Sequence, residues 1–309
     1  MLQTITPIRQ LARLYAAVLR IGTGDKAVAA RIDEQTNTLK TVAEAVGQMS
    51  TALGTAIRER HAPPAQQFEL HERLGLRLLL DRKSMVDRVV IETGSWEPEQ
   101  TGFMERLIRE QLKRQPVTFL DLGSYWGLYS LLAMRAGAQT IHAFDADRHN
   151  FAQLQAQIFL NNASGIITPH FKAVSAAAGV VTFQDSRDIS DSNRAGAGVT
   201  LRAPTRKTFD VDCVSIDDYL PLNDEFLIIK MDLEGHEPSA LRGLIKTLAR
   251  HKAILQVEIY GKHAEESRPI IEELGLRPFH RIDVDHYFAN FAADDEAALG
   301  LTPSAPCPA

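Results

Sequence analysis

The run Phe119-Leu120-Asp121-Leu122-Gly123-Ser124-Tyr125-Trp126-Gly127 narrows the possible folds of this chain more than any other stretch. It reads as a short buried strand ending in a carboxylate, then a glycine turn, then an apolar helix from Leu128 to Arg135. Glycine lets the backbone turn tightly and approach a ligand closely. The spacing is Asp-x-Gly-x-x-x-Gly, not the Gly-x-Gly-x-x-Gly that seats a pyrophosphate on a helix N-terminus. A nucleoside cofactor without a diphosphate, such as S-adenosylmethionine, therefore fits better than a dinucleotide.

The same unit recurs downstream. Strands are expected at 140–144, from 166 through 174, at 180–183, 226–231 and 253–259, and near 278–283 and 286–291. Helices are expected at 148–161, 237–250 and 265–274. Alternation of this kind predicts an α/β fold with a mostly parallel, doubly wound sheet. Right-handed crossovers bring the strand C-termini to one edge, where ligands bind. Asp121, Asp145, Asp232 and Glu258 all fall at or near that edge.

Each of these carboxylates has a chemical use there. Gly123 and Gly127 let the loop close around the amino-acid part of the cofactor, with Ser124 and Tyr125 between them. Asp121 can hold an ammonium or, alternatively, cap the next helix. Asp145 lies 24 residues after Asp121 and stands where an acid accepts both ribose hydroxyls. Ala146 follows it, and the backbone around Lys172 and Ala173 is expected at the adenine edge. The densest polar run is Lys230-Met231-Asp232-Leu233-Glu234-Gly235-His236-Glu237. Alternation puts Lys230 and Asp232 on one side of a strand, so an ion pair is expected beside the transferred group. Transfer of a methyl group to a hydroxyl needs close alignment and a proton acceptor, for which Asp232, Glu234, His236 and Glu258 are all candidates. Asp232 with Glu258 would suit a hard divalent cation, although no tight metal-spacing motif is present.

Residues 1–60 form a separate expectation. One line of sevens runs Leu11, Val18, Asp25, Ile32, Leu39, Val46, Leu53; a second runs Leu14, Ile21, Val28, Gln35, Val42, Met49, Ala56. This is the seam of a coiled coil, firmest over 28–57, and predicts self-association rather than a hairpin folded on its own domain. His61-Ala62-Pro63-Pro64 ends it. Residues 61–115 read as a linker with short strands at 76–80 and 88–92, a turn at 94–98 and a helix at 102–112. Trp96 in that turn suits packing or a substrate pocket. Residues 116–292 form the main domain and 293–309 a tail.

The whole chain has 309 residues, is 45% hydrophobic and carries a net charge of -5. These values exert no global pull toward nucleic acid or anionic membrane. No apolar run is long enough to span a bilayer, and the N-terminus lacks the apolar core of a signal peptide. The two cysteines, Cys213 and Cys307, fit a reducing compartment. A cytoplasmic location is expected.

On these residues the chain resembles the FkbM family of S-adenosylmethionine-dependent methyltransferases. The matching stretches are Phe119 to Gly127, Ala173-Val174-Ser175, Ser215-Ile216-Asp217-Asp218-Tyr219, Ile229 to Glu237, and Val257-Glu258-Ile259. The resemblance covers about residues 76–291, with the Lys-x-Asp-x-Glu-Gly-x-Glu run its specific part. It implies a class I Rossmann-like methyltransferase fold and O-methylation of a hydroxyl on a sugar, surface glycan, glycolipid or polyketide. It also implies that Asp121, Gly123 and Gly127 serve the cofactor. Asp145 departs from the family's usual Glu-Pro, the run here being Phe144-Asp145-Ala146-Asp147. His236 stands at a variable position of the second signature.

The polar loop 184–204, rich in Ser, Asp, Asn and Arg, suits a hydroxyl-rich ligand or is a plain surface loop; together with the family's habit it favours a carbohydrate acceptor over an apolar one. Two other classes compete. An NAD-dependent oxidoreductase is opposed by the glycine spacing. A non-catalytic coiled-coil scaffold is opposed by the intact polar strand ends.

Overall fold

The computed structural model describes residues 30–31, 33–42, 44–47, 67–186, 196, 198–199, 207–223, 225–291 and 299. The chain divides into two compact units, Met1–Gln66 and Gln67–Ala309. In the first, the described residues from 30 to 47 are helical. Leu39, Val42 and Val46, all on the expected seam, are exposed there. Gln35, also on the seam, is exposed; the rest of the seam, the proline stop at 63–64, most of the polar loop and all of the tail but Leu299 lie outside the described residues.

The second unit opens with a hairpin, β1 (Phe68–Arg73) against β2 (Leu76–Asp81). Next comes α1 (Met85–Thr93), where a strand over 88–92 is expected from the β-branched run Val89-Val90-Ile91. Capping decides against the strand. Ser84 Oγ accepts from Asp87 N, and Gly94 closes the last turn at φ 84 with its N–H on the Val90 carbonyl. Val86 and Val90, one helical turn apart, face the core. The following helix, α2 (Pro98–Leu112), starts earlier than the expected 102, with proline in its first turn. These elements belong to the same compact unit as the sheet that follows.

The main sheet is built from β3 (Val117–Leu122), β4 (Thr140–Asp145), β5 (Ile167–Phe171), β9 (Phe226–Met231), β10 (Ala253–Glu258), β11 (Arg277–Ile282) and β12 (Asp285–Ala289). Its order is β11-β12-β10-β9-β3-β4-β5. The five strands from β10 to β5 are parallel, and β12 runs antiparallel to β10. Strands β3 and β9 are buried along their whole length, as strands covered on both faces must be. Helix α3 (Leu128–Ala136) follows β3, and α4 (Arg148–Leu160) follows β4. The order reverses between β3 and β9, which creates a crevice at their C-terminal ends.

A small sheet flanks that crevice, made of β6 (Ala173–Val174), β7 (Gly179–Gln184) and β8 (Thr208–Val214) in the order β6-β8-β7. The stretch expected as one strand region over 166–174 thus divides at Lys172 between two sheets. Strand β8 has no counterpart in the sequence reading, although its Val211 and Cys213 alternate inward. After the one-turn helix α5 (Ile216–Tyr219), the helix expected at 237–250 is two: α6 (Glu237–Arg242) and α7 (Ile245–Arg250). The break sits at Gly243, where a Cβ would come 2.1 Å from the Ser175 carbonyl oxygen. Close packing on the β6 end, not propensity, ends α6 there. Helix α8 (Gly261–Glu273) lies between β10 and β11.

Candidate active site

The glycine loop is fastened from both sides. Gly123 N and Ser124 N donate to the Phe144 carbonyl at 3.0 and 2.8 Å, and Asp232 N donates to the Leu122 carbonyl at 3.0 Å. Gly123 has φ 84, and a Cβ on it would lie 1.8 Å from the Asp232 carbonyl oxygen. Only glycine lets β3 and β9 end this close together. Gly127, at φ 88, lines neither of the two cavities at this loop; a Cβ there would meet Leu154 Cδ1 at 2.4 Å, so it lets α3 pack on α4.

Between the glycines Tyr125 is also left-handed, at φ 53, and its N–H donates to Asp145 Oδ2 at 2.8 Å. A residue outside the glycine motif holds this strained turn. Asp87, fully buried on α1, accepts from Tyr125 Oη at 3.0 Å, Trp126 Nε1 at 2.9 Å, Gln153 Nε2 at 2.8 Å and Asp81 N at 2.7 Å. One carboxylate therefore ties hairpin, α1, loop and α4 together. The sequence reading misses it, because it places a strand at 88–92.

Asp121 is fully buried. Its Oδ2 accepts from Ser130 N at 3.0 Å and Ser130 Oγ at 2.6 Å, while Oδ1 has no hydrogen-bond partner. Burial raises its pKa, and the Lys230 ammonium opposes the rise. The helix contact expected of Asp121 is thus present on one oxygen, and the other is left for a cation. Asp145 gives Oδ2 to Tyr125 N and Oδ1 to Asp147 N, at 2.8 and 2.7 Å. Burial and the neighbouring Asp147 push its pKa well up.

A cleft of about 580 Å³ opens beside these groups. Gly123, Tyr125, Asp145, Ala146, Lys172, Ala173, Asp232, Glu234 and His236 all line it, with Phe144, Val174, Phe183 and Val199 as apolar walls. Asn150 joins them, and its buried Oδ1 has no partner. It had no signal in the sequence beyond its place one turn into α4.

The polar run forms the opposite wall. Lys230 Nζ pairs with Asp232 Oδ2 at 2.8 Å and lies 4.7 Å from the Tyr129 ring centre. Burial pulls the ammonium's pKa down, but Asp232, Asp121 and Glu97 outweigh it and hold it above the usual lysine range. Burial pushes Asp232 up, and Lys230 more than cancels that, leaving Asp232 below its ordinary value. Glu258 lines neither cavity; burial and the Asp232 charge raise it to about 9. The two neighbouring carboxyls are thus pushed in opposite directions, Asp232 down and Glu258 up. Glu234, at φ 51, accepts from Tyr260 Oη at 3.0 Å, and burial lifts it to about 7. His236 stands with Nε2 3.1 Å from Ser175 Oγ, and burial lowers its pKa. Glu237 Oε1 accepts from Leu233 N at 2.7 Å and Gly235 N at 3.3 Å, a purely structural cap.

A second chamber, of about 400 Å³, shares Gly123, Tyr125 and Asp232 with the cleft. Asp121, Ser124, Lys230, Trp96, Glu97 and Tyr129 line its remainder, with Val86 and Leu128. Together the two spaces suit a nucleoside with a charged tail: an acid and an amide oxygen at one end, an orphaned buried carboxylate oxygen at the other. Among the described residues no group of three or more His, Cys, Asp or Glu is arranged to hold a metal ion.

The family described as "Methyltransferase FkbM domain" matches residues 121–286, more than half of the chain. Among solved structures, the FkbM methyltransferase of Methylobacillus flagellatus is 18% identical with a TM-score of 0.37, over 66% of this chain and 52% of that one. This chain thus matches about half of that protein's length. The ribosomal protein L11 methylase of Lactobacillus delbrueckii subsp. bulgaricus is 13% identical at a TM-score of 0.39, over 63% and 79%. A SAM-dependent methyltransferase of Agrobacterium tumefaciens is 10% identical at 0.40, over 74% and 71%. No curated protein matches the chain.

Proposed function

Because this chain belongs to the FkbM family of S-adenosylmethionine-dependent methyltransferases, we propose that it methylates a hydroxyl of a sugar or glycan-type acceptor. The observation that carries the reading is the Lys230–Asp232 ion pair at the end of β9, with Asp232 lining the cleft beside Glu234 and His236. When bound, the cofactor supplies an electrophilic methyl group. Asp145 and Asn150 hold its ribose, the backbone around Lys172 and Ala173 meets its adenine, and Asp121 receives its ammonium. Asp232 takes the proton of the acceptor hydroxyl. Glu258 donates a hydrogen bond to Asp232 and orients it, and Lys230 stabilises its charge. Glu234 and His236 face the cleft and hydrogen-bond the acceptor. Glu234, His236 and Lys172 offer hydrogen-bonding groups to a polar acceptor along that cleft. A polyketide acceptor remains the second reading, on the family's range alone. The N-terminal helix serves self-association, supported by the outward-facing Leu39, Val42 and Val46.

The test is transfer of labelled methyl from the cofactor to a panel of glycans, followed by mass shift. Asp232→Asn is expected to lower turnover by about 10²-fold or more, with cofactor affinity little changed. Transfer to polyketides and to no sugar would overturn the acceptor class. Unchanged turnover in Asp232→Asn would overturn the proton acceptor.

A further inference from the structure

We propose that Glu97, in the turn before α2, is a cofactor-selecting residue that binds the α-ammonium end of the cofactor in the second chamber, together with Asp121. This rests on the cofactor reading above. Glu97 lies outside the matched family region and before the first strand of the main sheet.

The chamber's chemistry points to a cation. It adjoins the nucleoside cleft across Gly123, Tyr125 and Asp232, so one elongated ligand can occupy both. Three carboxylates line it, those of Glu97, Asp121 and Asp232, against one ammonium, Lys230, which is already engaged by Asp232. Asp121 contributes a fully buried Oδ1 without a partner. Such a group is costly to leave unpaired and gains most from a charged donor. Glu97 presents its acid from a left-handed backbone, φ 46, directly before Pro98. Tyr129 Oη holds its Oε2 at 2.8 Å, which fixes the carboxylate while leaving it able to accept further hydrogen bonds. Burial raises the Glu97 pKa, and a cation beside it would oppose that rise. Trp96 and Leu128 supply apolar walls suited to the methylene carbons between amine and nucleoside.

The experiment is calorimetric binding to the full-length protein of S-adenosylhomocysteine, of its analogue lacking the α-amino group, and of 5′-methylthioadenosine. In the wild type, loss of the amine is expected to weaken binding about 10- to 100-fold, the worth of a hydrogen bond to a charged group. Glu97→Gln should weaken S-adenosylhomocysteine by a similar factor and leave 5′-methylthioadenosine unchanged. The proposal is overturned if the wild type does not distinguish S-adenosylhomocysteine from the analogue without the amine. It is equally overturned if Glu97→Gln binds S-adenosylhomocysteine as the wild type does, which would assign the chamber to the acceptor. The wild-type comparison stands even where the variant does not fold. Absence of binding by all three nucleosides to the wild type would instead overturn the cofactor reading itself, and this proposal with it.

Discussion

At the scale of single residues, the site is organised by how burial divides protons among carboxylates. Asp232 and Glu258 have the same functional group, yet Lys230 holds the first below its ordinary value while burial and the Asp232 charge push the second up. The pair carries a stability signature. Glu258 is raised from 4.5 to about 9 in the folded protein. A carboxyl raised on folding holds its proton longer than in the unfolded chain, so its contribution is lost as pH climbs from about 4.5 toward 9. Glu258→Gln does not titrate. Its melting temperature is expected to fall less between pH 6 and 9 than the wild type's, by up to one proton's worth of slope; thermal melts across that range check this, and parallel curves would contradict it. The identities of these residues were readable beforehand, since strand ends with acids announce a ligand edge. Their protonation was not, because it depends on neighbours far apart in sequence.

At the scale of elements, the glycine loop is the instructive case. Its sequence announced a strand, a tight turn and a helix, and all three are present. What holds the loop is Asp87 on α1, 34 or more residues upstream of it. The β-branched run around it favoured a strand, and capping by Ser84 and Gly94 overrode that preference. Asp87→Ala removes the acceptor shared by four buried or half-buried donors, of which Tyr125 Oη and Gln153 Nε2 keep a second partner. Each is worth about 1–3 kcal/mol, not fully additive, so a loss of about 3 kcal/mol in unfolding free energy is expected. Denaturant titration measures it, together with weakened cofactor binding; a loss below about 1 kcal/mol would show that the loop stands without α1. Strand β8 and the break at Gly243 went unread for a related reason. Each depends on what it packs against: β8 on β6 and β7, and Gly243 on the Ser175 carbonyl.

At the scale of the whole molecule, the chain comprises two compact units with different work to do. Leu39, Val42 and Val46 are exposed on a helix of the first unit, and the proposed self-association would bury them. The full chain is expected at a multiple of its 34.2 kDa mass, and a chain without residues 1–60 at the mass of one protomer. Light scattering on the two decides it, and a monomeric full chain would refute self-association. Among the described residues no helix is long and apolar enough to cross a membrane.

By itself the sequence determined the kind of domain. Buried runs that end in Asp or Glu, glycine where β3 turns, and the Lys-x-Asp-x-Glu-Gly-x-Glu run are local patterns, and local chemistry is legible along a chain. It also determined the neighbourhood of Lys230 and Asp232, because alternation along one strand puts both on one side. The tertiary structure alone decided that the cleft continues into a second chamber, that Glu97 and Tyr129 face Asp121 and Lys230 there, and that Asp87 braces the loop. These are contacts between elements separated by tens of residues, and such contacts follow from packing rather than from any periodicity in the chain.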